Sequence, residues 1–251
     1  MSSLFGRTLH SPLFPLAAAL LVALTCGSPA FCGPIHDAAK TGDLAKIQEL
    51  LKDNPELVSS KDENGATALH WAATTGHRDV VELLLANKAD VDARTYSRKH
   101  VDVLLPTSSV EDMQNFNSGM VGREKEGATP LIWATLGGKK EVAELLIAHG
   151  ADVNARSDDG ATPLLRAADA NNLALAELLL ANKADVNTYD HWANNPLLVA
   201  AEAGNHAMVE LLVSNHADVN ARNSDHATPM RLAKRSKHEE TARFLREHGG
   251  H

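Results

Sequence analysis

The side chains of this chain best suited to chemistry are its carboxylates and its 13 histidines. Asp190-His191 and Asp225-His226 twice set an acid beside a base, and His248-Gly249-Gly250-His251 holds two imidazoles close in sequence. Such groups ligate metals or transfer protons when geometry brings them within bonding reach of one another. The spacings argue against both. There is no His-Glu-x-x-His, no cysteine pair at metal spacing, no Gly-rich phosphate loop and no Gly-x-Ser-x-Gly. Acid pairs such as Asp158-Asp159 are what a tight turn selects. We expect no catalytic residue, no metal site and no cofactor, and no enzyme activity.

The elements that carry these residues are repetitive. Thr67-Ala68-Leu69-His70, Thr129-Pro130-Leu131-Ile132, Thr162-Pro163-Leu164-Leu165, Asn195-Pro196-Leu197-Leu198 and Thr228-Pro229-Met230-Arg231 are variants of one motif. The last four start 33 residues apart, and the first two 62 apart, an excess of 29. Ala-Asp-Val-Asp at 89–92 and Ala-Asp-Val-Asn at 151–154, 184–187 and 217–220 keep the same step. Two markers in register over this period indicate a solenoid of small units. In each unit Thr or Asn sits where its side chain can cap a helix, and Pro follows at the first helical position. Leu69, Leu131, Leu164 and Leu197 join alanine pairs on one apolar face. Gly76, Gly138, Gly204 and Asn171 fall where that helix must stop in a left-handed conformation. Glu-Leu-Leu helices follow, and none can hide its apolar face alone.

These motifs resemble the ankyrin-repeat family over roughly residues 35–95 and 126–251. The resemblance implies an all-α ankyrin-repeat solenoid of about six helix–turn–helix units with β-turn fingers. It also implies that His70 ties adjacent units by hydrogen bonding. The expected order is an N-terminal capping repeat at 35–62, repeats at 63–95, 126–157, 158–190 and 191–223, and a C-terminal capping repeat at 224–251. The polar run Lys234 to Glu240 reads as a wettable cap rather than a binding patch.

Residues 1–30 read as a signal peptide, with Arg7, an apolar stretch from Leu13 to Leu24 and Ser28-Pro29-Ala30, followed by a tail at 31–34. That apolar stretch is short of the ~20 residues a membrane span needs. The protein is therefore expected to be secreted or periplasmic, with a membrane anchor as the alternative if the signal is uncleaved or acylated at Cys26 or Cys32. Formal charge is −8, with 32 acids against 24 bases and no basic run, so nucleic acid is not an expected partner.

Two departures from the period carry the functional reading. The extra residues form an inserted loop at 96–125, containing Val101, Val103, Leu104, Leu105, Met113, Phe116 and Met120. Either it supplements the binding groove or it is a tolerated insertion. The finger Tyr189-Asp190-His191-Trp192-Ala193 exposes aromatics in an aromatic-poor chain, suggesting either a hot spot or packing on the next finger. His191 and His226 should lie ~10 Å apart on successive layers, too far to share an ion. Trp71 and Trp133 share one repeat position and read as packing residues.

The expected function is a scaffold that binds another protein, the acidic balance pointing to a partner with a basic patch, and acts as a monomer outside the cytoplasm. A structural or stress-related envelope role is the alternative. Contacts are expected from Thr74, Thr75, Leu136, Asp169, Glu202 and Arg235 on the inner helices. Finger contacts are expected from Asp158, Asp159, Tyr189, His191, Trp192, Asp225 and His226.

Overall fold

A computed structural model describes residues 33–96 and 125–251. The signal-like segment, both cysteines and the apolar residues of the insert lie outside the described residues. Twelve α-helices are found among those described, paired in six units: α1 Pro34–Thr41, α2 Leu44–Asp53, α3 Ala68–Thr75, α4 Arg78–Ala86, α5 Pro130–Leu136, α6 Lys140–Ala148, α7 Pro163–Asp169, α8 Leu173–Ala181, α9 Pro196–Ala203, α10 His206–Ser214, α11 Pro229–Arg235 and α12 Glu239–Glu247. The odd-numbered helices form an inner row and the even-numbered ones an outer row, each packed on its counterpart in the next unit.

The inner row packs most closely, because its facing residues are small. Ala72, Ala73, Ala167, Ala168, Ala200 and Ala201 are fully buried, beside Leu69, Leu131, Leu164 and Leu197. A Cβ on Gly137 would come within 2.4 Å of the Thr74 carbonyl oxygen, so the α3–α5 contact requires glycine there. One continuous core runs from Ile35 to Leu245. Caps follow the sequence at Thr162, Asn195 and Thr228, whose side chains accept from the backbone N–H three residues on. Thr129 departs from it: its buried hydroxyl has no partner among the described residues. Gly76, Gly138, Asn171 and Gly204 all take positive φ as the pattern requires.

Polar stitches set the register between units. His70 Nδ1 accepts from the Thr67 N–H at 3.1 Å, so the ring's proton sits on Nε2 and is donated to Ala128 O in the next unit at 3.1 Å. Burial drives the His70 pKa down to about 4, with the Ala128 bond opposing it. On the far edge the motif asparagines form a ladder. Oδ1 of Asn154, Asn187 and Asn220 accepts from the N–H of Asp185, Asp218 and His251, while Nδ2 donates to Lys183, His216 and Gly249 carbonyls. The exception is Asp92, which accepts from Asp152 N at 3.0 Å but has no amide to donate. Burial, with Asp152 and Asp90 nearby, raises its pKa.

The insert leaves the stack intact at its base. Thr95 N–H donates to Ala128 O and Ala128 N–H to Thr95 Oγ1, while that hydroxyl donates to Lys125 O. The uninterrupted finger at the same register closes in the same way, Ser157 N–H donating to Ala161 O. Tyr96 N–H still reaches Asn64 O, as Asp158 N–H reaches Glu126 O.

Three outcomes follow from these stitches. Excising 97–125 so that Tyr96 joins Glu126 restores a regular finger, and urea unfolding should shift by no more than about 1 kcal/mol; loss of cooperative folding would contradict the closed base. Asp92→Asn supplies the missing donor toward Gly150 O, the register equivalent, and should add about 0.5–1.5 kcal/mol to the same unfolding free energy. His70 is favoured neutral by folding, so its contribution is full above about pH 6.5 and lost as pH falls toward 4. His70→Gln should lower stability at pH 7 by about 1–2 kcal/mol and flatten the stability–pH slope across that window; an unchanged slope would place the titration elsewhere.

Candidate functional site

Thr74, Leu136, Asp169, Glu202 and Arg235 occupy one register, the last turn of α3, α5, α7, α9 and α11. They therefore run as a stripe across neighbouring inner helices. Asp169, Glu202 and Arg235 are exposed, Thr74, Thr75 and Leu136 half-buried. Each residue stands just before the helix stop, where the chain turns outward and leaves the side chain uncovered. The stripe changes character along its length. Leu136 packs against Ile132 and Trp133 at one end, and Glu202 pairs with Arg235 at 2.5 Å at the other. The Thr75 hydroxyl donates to the Trp71 carbonyl 2.8 Å away.

Trp71 and Trp133 are packing residues. Trp133 is buried, and its ring meets Trp71 edge-on at 5.0 Å. The Lys40 ammonium lies 3.9 Å from the centre of the Trp71 ring and that of Lys125 4.4 Å from Trp133. The same repeat position holds Arg166 in the fourth unit, and both residue types do one job. Trp71 Nε1–H donates to Asp62 at 2.8 Å and the Arg166 guanidinium to Asp159, so α3 and α7 latch their own fingers, whereas Trp133 Nε1 finds no partner among the described residues.

That latch corrects the reading of Asp159, whose side chain is only 13% exposed. Burial pushes its pKa up, but the Ser157 hydroxyl and Arg166 outweigh this and hold it below the usual carboxylate range. It replaces the acid or amide that other fingers carry at the Ser157 register, namely Asp62, Asp190 and Asn223, each accepting two turn N–H groups. Asp158 is held by Arg94 at 3.2 Å and is 27% exposed. Tyr189 is corrected too. It is not a free tip but packs, partly buried, on Leu198, Ala221, Ala227 and Leu232.

Trp192, His191, Asp225 and His226 do stand exposed on the last two fingers. Trp192 is 53% exposed. Its backbone is pinned: Trp192 N–H donates to Asp190 at 2.8 Å, and its carbonyl accepts from the Ser224 hydroxyl at 2.6 Å and the Ser224 N–H at 3.3 Å. Ala193 and His226 take φ near +58° where three earlier fingers use Gly65, Gly127 and Gly160. Sequence reasoning missed Tyr96, 48% exposed at the edge of the insert with the Lys61 ammonium 5.2 Å from its ring centre. Its aromatic type on a finger was the available signal.

Among the described residues no group of three His, Cys, Asp or Glu could hold a metal ion, and no helix is long and apolar enough to cross a membrane.

A family model described as ankyrin repeats matches three stretches, 16–95, 97–190 and 182–251. An ankyrin repeat protein of Rickettsia felis is 33% identical over 46% of this chain and 40% of its own length. Osteoclast-stimulating factor 1 of Bos taurus is 51% identical over 20% of this chain and 23% of that protein. The chain thus spans well under half of these curated relatives. One solved structure, a predatory endopeptidase of Bdellovibrio bacteriovorus in complex with an immunity protein, contains a chain that superposes with a TM-score of 0.68 at 28% identity, over 86% of this chain and 97% of that one.

Proposed function

Because the chain belongs to the ankyrin-repeat family, and with it to protein–protein interaction modules, we propose that it is a scaffold that binds its partner outside the cytoplasm, through the inner-helix stripe and the exposed fingers. The observation that carries this reading is Trp192, a large aromatic half in solvent on a backbone held from both sides. A rigid aromatic loses little freedom on docking, and tryptophan is enriched among residues that dominate binding energy. Action outside the cytoplasm rests on Arg7, the apolar stretch Leu13 to Leu24 and Ser28-Pro29-Ala30. The acidic balance favours a partner with a basic patch. No catalysis is assigned to this chain.

A second reading is favoured by the superposition on a chain from an endopeptidase–immunity complex. In it, the partner is an exported hydrolase that this protein binds and restrains. Adding the purified protein to the host's exported endopeptidases and measuring peptide release separates that reading from simple scaffolding.

The test of the binding surface uses cross-linking from position 192 in the host envelope fraction, with the captured partner then titrated against variants. Trp192→Ala should leave unfolding within about 0.5 kcal/mol of the parent. It should weaken the partner about tenfold or more. Equal affinity for Trp192→Ala and for Asp169→Lys/Glu202→Lys would rule out this face.

A further inference from the structure

The last unit carries cations at the positions through which inner units meet their neighbours. Arg231 stands at the register of His70, Ile132, Leu165 and Leu198, all buried, and His70 there reaches the following unit. Lys234 occupies the register of Ala73, Thr135, Ala168 and Ala201, also buried. Lys237 occupies that of Gly76 and Gly204, where an added Cβ would strike Lys139 and His238 of the following unit. On α12, Arg246 replaces the partly buried aliphatics Leu85, Ile147, Leu180 and Val213. All four cations are exposed, and none is in an ion pair among the described residues. A unit of the same apolar pattern set against them would bury charge.

Solubility alone does not account for this choice. Acids or serines would wet the face as well, in a chain whose formal charge is −8. Helix dipoles favour cations near C-termini, which suits Lys234 and Arg246, but Arg231 lies in the first turn of α11, where the dipole opposes a cation. Lys237 takes φ of +64° at a register that elsewhere uses glycine or asparagine. Arg231 is therefore kept against local preference, while Lys88 and Lys183 share the left-handed backbone of Lys237. Of the neighbouring charges, Arg235 turns into the stripe against Glu202 and Glu240 approaches His206 of the preceding unit, while Glu239 is an acid at the His206 register, which reaches the following unit.

We propose that the end face formed by Arg231, Lys234, Lys237 and Arg246 is a second binding surface, separate from the stripe and fingers, and that it takes an acidic segment of a protein partner. A short Asp/Glu-rich segment meets only this local field, because screening confines it to about 8–10 Å. An anionic membrane would meet the acidic remainder of the chain as well, so the peptide is the better fit.

The test titrates the full chain with a fluorescein-labelled peptide rich in Asp and Glu, and separately with phosphatidylglycerol vesicles. Saturable, salt-weakened peptide binding is expected. R231E/K234E should weaken it about tenfold or more, whereas reversing Lys52 and Lys183, exposed elsewhere, should not. Lys237→Gly should weaken binding while raising the thermal midpoint, since it relieves the left-handed strain; damage to the fold would lower both. Absence of binding, or binding unchanged in R231E/K234E and Lys237→Gly, would reduce the face to a wettable cap. Vesicle binding stronger than peptide binding and lost in R231E/K234E would assign it to membranes and overturn the peptide.

Discussion

A pair of helices only two to three turns long has almost no interior of its own, and each unit here becomes stable by pressing one apolar side against the next. Most of the molecule follows from that dependence. The inner helices meet through alanines because larger side chains would hold them apart, and Gly137 is required where α5 crosses the backbone at Thr74. The outer helices meet through leucine, isoleucine and valine. Burial of this kind is strong but non-directional, so it does not fix how one unit is rotated on the next.

Rotation is set by hydrogen bonds with fixed geometry. His70 fastens the second unit to the third from the inner side, and the asparagine ladder fastens successive units from the far edge. The latches from Trp71 and Arg166 hold fingers against their own helices, one through an indole and one through a guanidinium. Different residues at one register thus perform the same task. The fingers can vary in composition, as Trp192 and His226 do, because helix spacing and the turn bonds place them rather than their own packing.

The junction between the second and third units concentrates the exceptions. It hosts the insert, has a carboxylate in place of the ladder amide, and adds the Trp71–Trp133 contact beneath the inner surface. The Thr95 clasp explains how extra residues are accommodated without a fault in the stack: the two ends of the insert are hydrogen-bonded neighbours.

The inter-unit role of His70 came from the family resemblance, while the repeating unit, its helix starts and stops, and its buried leucines and alanines were readable from residue order. Each depends on local chemistry repeated at a fixed period, and repetition exposes it. Contact between registers was not readable, because it depends on how far one helix is turned against its neighbour. Only in three dimensions does Asp159 prove to be held by Arg166, Tyr189 lie against Leu198, and Trp192 stand half in solvent. The same holds for the charge run of the last unit. Its order along the chain looks like solvation, while folding divides it among three surfaces, because residues three apart on a helix share a side and their immediate neighbours do not.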